Sequence, residues 1–332
     1  MINKKHFFFL FLFLALAFYI PLSNADFNWA SVTLDNDWFI GNDSGYTNGL
    51  YISFYDMSSR NDKKMTKPDF WVKPLLWSAK NHDAFYTINS YTIGQSMTTP
   101  SDITVAVPDD SALPYSGLLF LLNNYITVSL SYAEKFSTTI GVIGPSSGAE
   151  SSQKFVHKLF GADKPQGWDT QLNDELVFQF ERSSLWRSWV SNSGNADFLA
   201  LAEIDLGTLE SSINGAVMIR YGRVLDRSFH TSLYMSTRVA NPIAAEKGWY
   251  GFLGVQAGYV FNLIYADGNT FRDSRSVDYG PERLSITTGF TYSWDKLFIT
   301  FAVSDTNILL SQGEEELEDL TSYGTLTFAW QL

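Results

Sequence analysis

A histidine at position 157 is the best candidate for chemistry in this sequence. His157 lies in a segment rich in glycine, proline and polar residues, unlike His82 and His230, and it follows Gln153 by four residues. Four residues make about one helical turn, so both side chains share a helix face. A neutral imidazole is the usual general base near neutral pH. The alternative, a surface histidine on an ordinary helix, stays open from the residue alone.

A second group of polar residues starts with Asn36 and Asp37. Within the 14 residues from 35 to 48 there are three acidic residues and three asparagines. Carboxylate and amide oxygens suit a hard cation, and Ca²⁺ is the natural choice. The alternative is an acidic turn, since Asn, Asp and Gly form loops for backbone reasons. Neither an EF-hand spacing nor a zinc motif occurs.

Segments of about ten residues would position these side chains. In each segment apolar and polar residues alternate, which is typical of membrane β-barrel strands. The last strand shows this best, because Leu326, Phe328, Trp330 and Leu332 share one face. The pattern predicts an all-β fold, a transmembrane antiparallel barrel of about twelve strands. The predicted strands are 27–36, 46–55, 83–95, 115–131, 136–144, 174–184, 197–206, 211–222, 249–264, 283–293, 296–304 and 322–332.

The connections between these strands differ in length. Residues 206–209 and 293–296 read as short turns, whereas 56–82 and 305–321 are long and polar. This favours a barrel with short turns at one end and long loops at the other. The alternative is a soluble β-sandwich or a periplasmic β-protein.

One inserted segment breaks the strand pattern. Residues 148–160 predict a short helix, with serines as caps and Gly161 as its stop. A helix between two barrel strands would hold His157 rigidly near the rim, as a catalytic imidazole requires.

The N-terminus reads as a secretory signal. Lys4 and Lys5 precede an apolar run from Phe7 to Ile20, and small residues end at Ala25. We expect cleavage after Ala25, which leaves residues 26–332 as one barrel domain in the bacterial outer membrane. The alternative is an uncleaved anchor, although the run is short for a membrane span. Cleavage removes two lysines and no acid, so the formal charge changes from −12 to −14.

Composition excludes other classes. The 332 residues include 53 aromatic residues, 26 Phe, 17 Tyr and 10 Trp, and no cysteine. Disorder, a disulfide scaffold and a cysteine-ligated metal site are therefore excluded. The negative charge argues against a nucleic-acid partner, since only the region of Lys63 and Lys64 is basic.

Seven motifs occur in a fixed order along the mature chain. They are Asn36-Asp37, Tyr46-Thr47-Asn48-Gly49, Gly94-Gln95 with Thr99-Pro100, Pro114-Tyr115-Ser116-Gly117, the segment from Gly144-Pro145-Ser146-Ser147-Gly148 to Gln153 and His157, Pro165-Gln166-Gly167-Trp168-Asp169-Thr170-Gln171-Leu172, and Asp267-Gly268-Asn269-Thr270-Phe271. In this order they closely resemble the lipid A deacylase family of Gram-negative outer-membrane proteins, the 3′-O-deacylase type.

The resemblance implies a twelve-stranded barrel that acts on lipid A of lipopolysaccharide, with Ca²⁺ held near Asp37. We also expect the barrel to be a monomer among outer-membrane lipids. The resemblance further implies Ca²⁺-dependent hydrolysis of the 3′-linked acyloxyacyl ester at the rim, between the barrel wall and the inserted helix. By motif, His157 matches the catalytic histidine and Gln153 its helical neighbour, while Asn36, Asp37 and Thr47 complete the site.

The sequence departs from the family pattern at a lysine expected after Thr99-Pro100, because Ser101 to Pro108 contains none. Ser116 also replaces the usual alanine. A catalytically silent barrel of the same family is the alternative function, and a diffusion channel is a third.

Overall fold

The structure is a computed structural model that describes residues 26–36, 39, 45–62, 65–80, 83–234, 247–305 and 322–332, without the side chains of residues 45–47 and 234. The predicted signal segment 1–25, Asp37, His82 and the Thr47 side chain therefore lie outside the described residues. Within the described part of the chain, no helix has the length and apolarity that a membrane crossing needs.

Twelve antiparallel strands close into a barrel in which each strand pairs with its sequence neighbours and β1 pairs with β12. This confirms the predicted fold. The strands are β1 Trp29–Asn36, β2 Gly45–Ser59, β3 Tyr86–Thr99, β4 Ser116–Val128, β5 Tyr132–Ile143, β6 Glu175–Val190, β7 Ala196–Gly207, β8 Glu210–Gly222, β9 Gly248–Leu263, β10 Glu282–Trp294, β11 Leu297–Asp305 and β12 Tyr323–Gln331.

Alternation sorts the side chains into an inner and an outer face. On β12, Thr325, Thr327 and Ala329 are buried, whereas Phe328 and Trp330 are exposed. The small buried residues form hydrogen bonds with inward-facing residues of the neighbouring strand. The hydroxyl oxygens of Thr327 and Thr33 of β1, for example, lie 2.8 Å apart. Large apolar side chains therefore point outward, as they do in a barrel surrounded by lipid.

The expected division into a short-turn end and a long-loop end is wrong. Strands alternate in direction, so consecutive connections fall at opposite ends, and the short turns 208–209 and 295–296 lie at different ends. We call the end that carries both chain termini the terminus end and the other the rim end. Long connections occur at both ends, since 60–85 and 223–247 join strands at the terminus end.

Among the described residues of the connections there are three α-helices: α1 Ala149–Phe160, α2 Leu225–Ser228 and α3 Ile264–Asp267. Helix α1 confirms the predicted inserted helix and its end at Gly161, but the prediction of serine caps is wrong, because the N-cap residue is Gly148. Helix α2 continues into a 3-10 helix, Phe229–Tyr234, whose Phe229 and Leu233 are buried against inward-facing residues of the barrel. The amine of Lys135 donates to the Leu233 carbonyl at 2.7 Å. This segment therefore fills the lumen at the terminus end.

The connection between β2 and β3 lies outside the barrel instead. We call its residues 65–80 the strap; they include a 3-10 helix, Lys73–Ser78. On the outer face of β3, Ile93 is 50% exposed, but Tyr91, two residues earlier in the sequence, is only 3% exposed. Tyr91 packs against Trp71 of the strap, which explains the loss of exposure.

Candidate functional site

Helix α1 starts from a tight turn that follows β5. The turn forms a 3-10 helix, Pro145–Ser147, and Gly148 links it to α1 with φ = 75°. A left-handed backbone of this kind favours glycine. The turn is fixed to the start of β6, because Ser146 donates from its backbone N and its Oγ to the Asp174 carboxylate at 2.7 and 2.9 Å.

Gly117 lets α1 lie directly on the outer face of β4. A Cβ atom at this position would stand 2.2 Å from the Ala149 Cβ and 2.3 Å from the Ser147 Oγ. These distances are far below a van der Waals contact, so only glycine allows the close approach of helix and strand. The Pro-Tyr-Ser-Gly motif thus has a packing reason.

An aromatic cluster holds the first turns of the helix. Met97, Tyr115, Ala149 and Trp168 form one buried group, in which the Tyr115 and Trp168 rings lie 5.1 Å apart. The Tyr115 hydroxyl donates to the Ile103 carbonyl at 3.3 Å. Burial raises the pKa of Tyr115, so this phenol stays protonated and holds the loop between β3 and β4 against the helix.

Gln153 points from α1 into this cluster and is only 2% exposed. Its Oε1 accepts a hydrogen bond from Trp168 Nε1 at 2.7 Å. That bond orients the amide and leaves Nε2 buried without a partner among the described residues. A buried N–H group without a partner costs about 1–3 kcal/mol, which makes this amide a ready donor to a bound group.

His157 lies one turn further along α1 and is half-buried. Its Nδ1 lies 2.6 Å from the backbone oxygen of Asp163. A carbonyl oxygen can only accept, so Nδ1 carries the proton and Nε2 presents the lone pair. The chain reverses at Gly161, whose φ is 71°, and this turn brings the Asp163 carbonyl back to the ring. The imidazole is therefore fixed in the tautomer that a base acting through Nε2 requires.

The asparagine-rich region ends on the same outer face. Asn36 is the Cα partner of Asn48, and Asn48 is the partner of Met97 on β3. Met97 is in turn the partner of Gly117 beneath α1. Three strand spacings of about 4.8 Å separate β1 from β4, so roughly 14 Å of outer wall connects Asn36 with the helix.

The register of β2 shifts between Tyr46 and Asn48, so Thr47 is the extra residue of a β-bulge. A bulge changes the direction of neighbouring side chains and is common beside functional sites. The structure thus places Gln153 and His157 on α1 and Asn36 on the adjoining wall. Asp37 and the Thr47 side chain lie outside the described residues, so their roles stay predictions.

No cluster of three or more His, Asp or Glu side chains suited to a metal occurs among the described residues. The donors that are described nevertheless have the right chemistry for calcium. Asn36 and Asn48 carry amide oxygens on directly opposed positions of the outer face, where Cβ atoms lie about 5 Å apart. Neutral and anionic oxygens are what Ca²⁺ prefers, so this donor set fits the ion.

The last motif, Asp267-Gly268-Asn269-Thr270-Phe271, links two connections at the rim end. The Asn269 side chain accepts from the Asn173 backbone N at 2.8 Å and donates to the Asn173 carbonyl at 2.9 Å. Backbone N–H groups of Thr270 and Phe271 donate to the Glu175 carboxylate at 3.0 and 3.1 Å. These bonds attach the loop after β9 to the segment that follows α1, so the Asp-Gly-Asn-Thr-Phe motif has a structural role.

Sequence reasoning left two features out of the site. Gln95 stands on the outer face and donates through Nε2 to the Ser147 carbonyl at 2.7 Å, so it supports the turn before α1. Its place in the Gly94-Gln95 motif was the available signal. Residues 144–148 also have the Gly-x-Ser-x-Gly spacing of a serine hydrolase. The Ser146 hydroxyl, however, donates to a carboxylate and serves to fix the turn.

Comparison with known structures supports the fold. "LpxR from Salmonella typhimurium" matches with a TM-score of 0.71 at 16% identity, covering 92% of this chain and 100% of that one. The "Beta Domain of the Bordetella Autotransporter Brka" gives a TM-score of 0.43 at 10% identity, covering 92% of this chain and 98% of that one. The comparison with curated proteins gives no match.

The family described as "Outer membrane protein LpxR" matches residues 8–332. This match spans nearly the whole sequence, including every motif from Asn36 to Phe271. The chain therefore belongs to the LpxR family of outer membrane proteins.

Proposed function

We propose that this barrel is a Ca²⁺-dependent lipid A 3′-O-deacylase, which hydrolyses the 3′-linked acyloxyacyl ester with His157 as general base. The observation that carries the proposal is the hydrogen bond from His157 Nδ1 to the Asp163 carbonyl. It fixes a basic Nε2 on a helix that lies against the outer wall of a lipid-facing barrel. Membership of the LpxR family supports the substrate class.

In this mechanism His157 Nε2 removes a proton from water while the hydroxide attacks the ester carbonyl carbon. The Asp163 carbonyl accepts from Nδ1–H throughout and stabilises the imidazolium that forms. The imidazolium then returns the proton to the departing sugar oxygen as the tetrahedral centre collapses. The fatty acid and the free 3′ hydroxyl are the products.

Gln153 supplies a second contribution. Trp168 holds its Oε1, so its Nε2 hydrogens keep one direction and do not compete for an internal partner. A fixed donor of this kind can stabilise developing negative charge on the ester oxygen without reorganising. Removal of one such donor typically lowers kcat by about 10² to 10³.

Asp37 and Asn36, with Asn48 opposite, would hold the calcium ion. When bound, Ca²⁺ polarises the ester carbonyl and offsets negative charge near it. A divalent ion also suits the overall electrostatics, because a chain of formal charge −12 repels the phosphates of lipid A.

The position on the outer wall suits a membrane-bound substrate. Leu34, Leu50 and Ile93 are exposed on the strands beside the site. Acyl chains can lie along these apolar side chains while the sugars stay at the rim. Phe155 and Leu159 of α1 are exposed as well and extend the apolar surface on the other side of the helix.

The proposal is tested by incubating the purified protein with lipid A and measuring the product by mass spectrometry. We expect the loss of one acyloxyacyl unit, abolition of the reaction by EGTA and its recovery with calcium. An unchanged lipid A mass in calcium, with correctly folded protein, would favour the silent barrel. Full turnover after exhaustive EGTA treatment would remove the metal from the mechanism.

A further inference from the structure

The strap covers a polar part of the outer wall near the terminus end. Thr66 donates from Oγ1 to Asp56 Oδ1 at 2.9 Å, and Thr138 Oγ1 donates to the Trp71 carbonyl at 2.9 Å. The Lys80 backbone N donates to Glu134 Oε1 at 3.0 Å. These wall residues would be costly to expose to hydrocarbon. The strap therefore takes the place of lipid along this wall.

The opposite side of the strap is exposed and differs in composition. Trp77 is 87% exposed and Phe70 is 42% exposed. Lys67 and Lys73 are exposed near them. The Lys80 amine instead lies over the Tyr132 and Trp186 rings of the wall, 4.8 and 5.5 Å from their centroids. Aromatic rings with neighbouring lysines are the usual composition of a protein surface at the membrane–water interface.

The charge of this region is opposite to that of the whole chain. Residues 60–80 contain six basic residues and two acidic ones, in a chain whose formal charge is −12. Within the strap itself, residues 65–80, there are three lysines and one acid, Asp69, whose carboxylate accepts from the Tyr91 hydroxyl of the wall. The formal charge of the strap is therefore positive, which complements an anionic surface.

The strap also continues the lipid-facing wall. Ile52, Phe54 and Ile93 are exposed on the outer face next to it, and Phe27 bridges the two regions through Phe54 and Tyr91. A segment that covers part of a lipid-facing wall faces the same lipid. The aromatic side chains of the strap therefore lie along the outer wall and not over the lumen.

We propose that the strap is a membrane-interface anchor that binds anionic phospholipid. Trp77 and Phe70 insert at the level of the head groups and upper acyl chains, and Lys67 and Lys73 contact head-group phosphates. If lipid A binds at the rim end, that end lies in the lipopolysaccharide leaflet, and the strap at the terminus end lies in the phospholipid leaflet. The choice of phospholipid as the ligand therefore rests on the proposed function. The anchor itself does not depend on catalysis.

The absence of cysteine from the sequence allows a local test. Ala79→Cys places one fluorophore at the exposed end of the strap helix and keeps Trp77, Phe70 and the lysines. Ser193→Cys, in the turn after β6 at the same end, is the matched control. The full chain is folded into vesicles of phosphatidylethanolamine and phosphatidylglycerol. Quenching is then measured with acrylamide in the water and with phospholipids that carry a nitroxide on the head group.

We expect the label at position 79 to be quenched by lipid and protected from acrylamide, and the label at 193 to show the reverse. Trp77→Ser should weaken the lipid quenching at position 79. Equal acrylamide quenching at both positions would overturn the proposal. It would show that the strap faces water, as a docking surface for a soluble protein would.

The charge contribution is tested by comparing nitroxide-labelled phosphatidylglycerol with phosphatidylcholine. Each lysine near an anionic surface adds a favourable attraction, so phosphatidylglycerol should quench position 79 at least about twofold more strongly. The preference should disappear in Lys67→Gln/Lys73→Gln. It should persist in the rim control Lys154→Gln/Lys158→Gln. Equal quenching by the two lipids in the parent protein would remove anionic lipid from the proposal.

Discussion

Helix α1 and the strap cover the same side of the barrel at opposite ends. They differ in how the buried polar groups beneath them are hydrogen-bonded. Beneath α1, Gln153 keeps a buried amide donor that has no partner in the part of the chain that the structure describes, and His157 keeps a basic nitrogen. Beneath the strap, the Glu134 carboxylate accepts from Tyr132 at 2.7 Å and forms an ion pair with Arg182 at 3.0 Å. The rim region leaves a donor beside a base, whereas the strap region pairs its buried carboxylate internally and leaves only Trp71 Nε1 and Asn123 Oδ1 without a partner among the described residues.

This difference separates a chemical site from a structural one. A buried polar group without a partner lowers stability, and one that lies beside a fixed base is a candidate for completion by a substrate. A buried carboxylate that is paired like Glu134 stabilises the fold and offers no open acceptor to a substrate. Substitutions at the rim should therefore change activity more than stability, and substitutions beneath the strap should do the opposite.

The largest effect is expected from His157→Ala. Loss of a general base lowers the rate by about 10² to 10⁴, so deacylation should fall by at least two orders of magnitude. The exposed neighbour Lys158→Ala is the control on the same helix. Product formation is measured by mass spectrometry, and folding by the heat-modifiable mobility of barrels in SDS gels. Equal activity in the two variants would require another base.

Glu134→Ala should give the largest loss of stability. It leaves the Arg182 guanidinium without its carboxylate, and breaking a buried ion pair costs about 3–5 kcal/mol. The matched control is Glu150→Ala on α1, whose exposed pair with Lys154 contributes about 0.5 kcal/mol or less. Urea unfolding in lipid vesicles measures both, and deacylation per folded molecule should not change in either. Identical midpoints for the two variants would contradict a structural role for the strap.

The sequence predicted one of these two regions and missed the other, for a physical reason. Helix α1 follows from local signals, since glycines flank a run of helix-forming residues at 148 and 161. The strap depends on partners far away in sequence, such as Tyr125 and Phe136, which pack around Val72. Its segment reads only as a long polar connection.

A signal for the strap was present in the strands themselves. Asn89 and Asn123 occupy positions that alternation assigns to the lipid-facing side, and they bond each other at 2.9 Å. Polar residues at such positions predict that something other than lipid covers the wall. Which segment covers it cannot be read from alternation, because periodicity gives the face of a residue and not its neighbour.

An intermediate effect is expected where the rim helix touches the wall. Gly117→Ala adds a Cβ that would stand 2.2 Å from the Ala149 Cβ, so α1 must shift. A misplacement of about 1 Å can cost up to about 10²-fold in rate, and we expect a loss of about tenfold or more. The double variant Gly117→Ala/Ala149→Gly removes one of the two clashing atoms and should recover part of the activity. No recovery would mean that Gly117 acts by another route.

The smallest effect is expected from Trp168→Phe, which removes the indole N–H and keeps a ring against Tyr115. Gln153 Oε1 then loses its hydrogen-bond donor, so the amide can rotate. Its Nε2 is no longer held in one direction toward the substrate. A lost hydrogen bond at a buried group is worth about 1–3 kcal/mol, but water can replace part of it, so kcat should fall by about three- to tenfold. KM should change little, because the ring packing that positions the helix remains. In Gln153→Leu the same substitution at Trp168 should have no further effect on kcat, since the two residues act through one bond. Additive losses in the double variant would show that Trp168 contributes by packing alone.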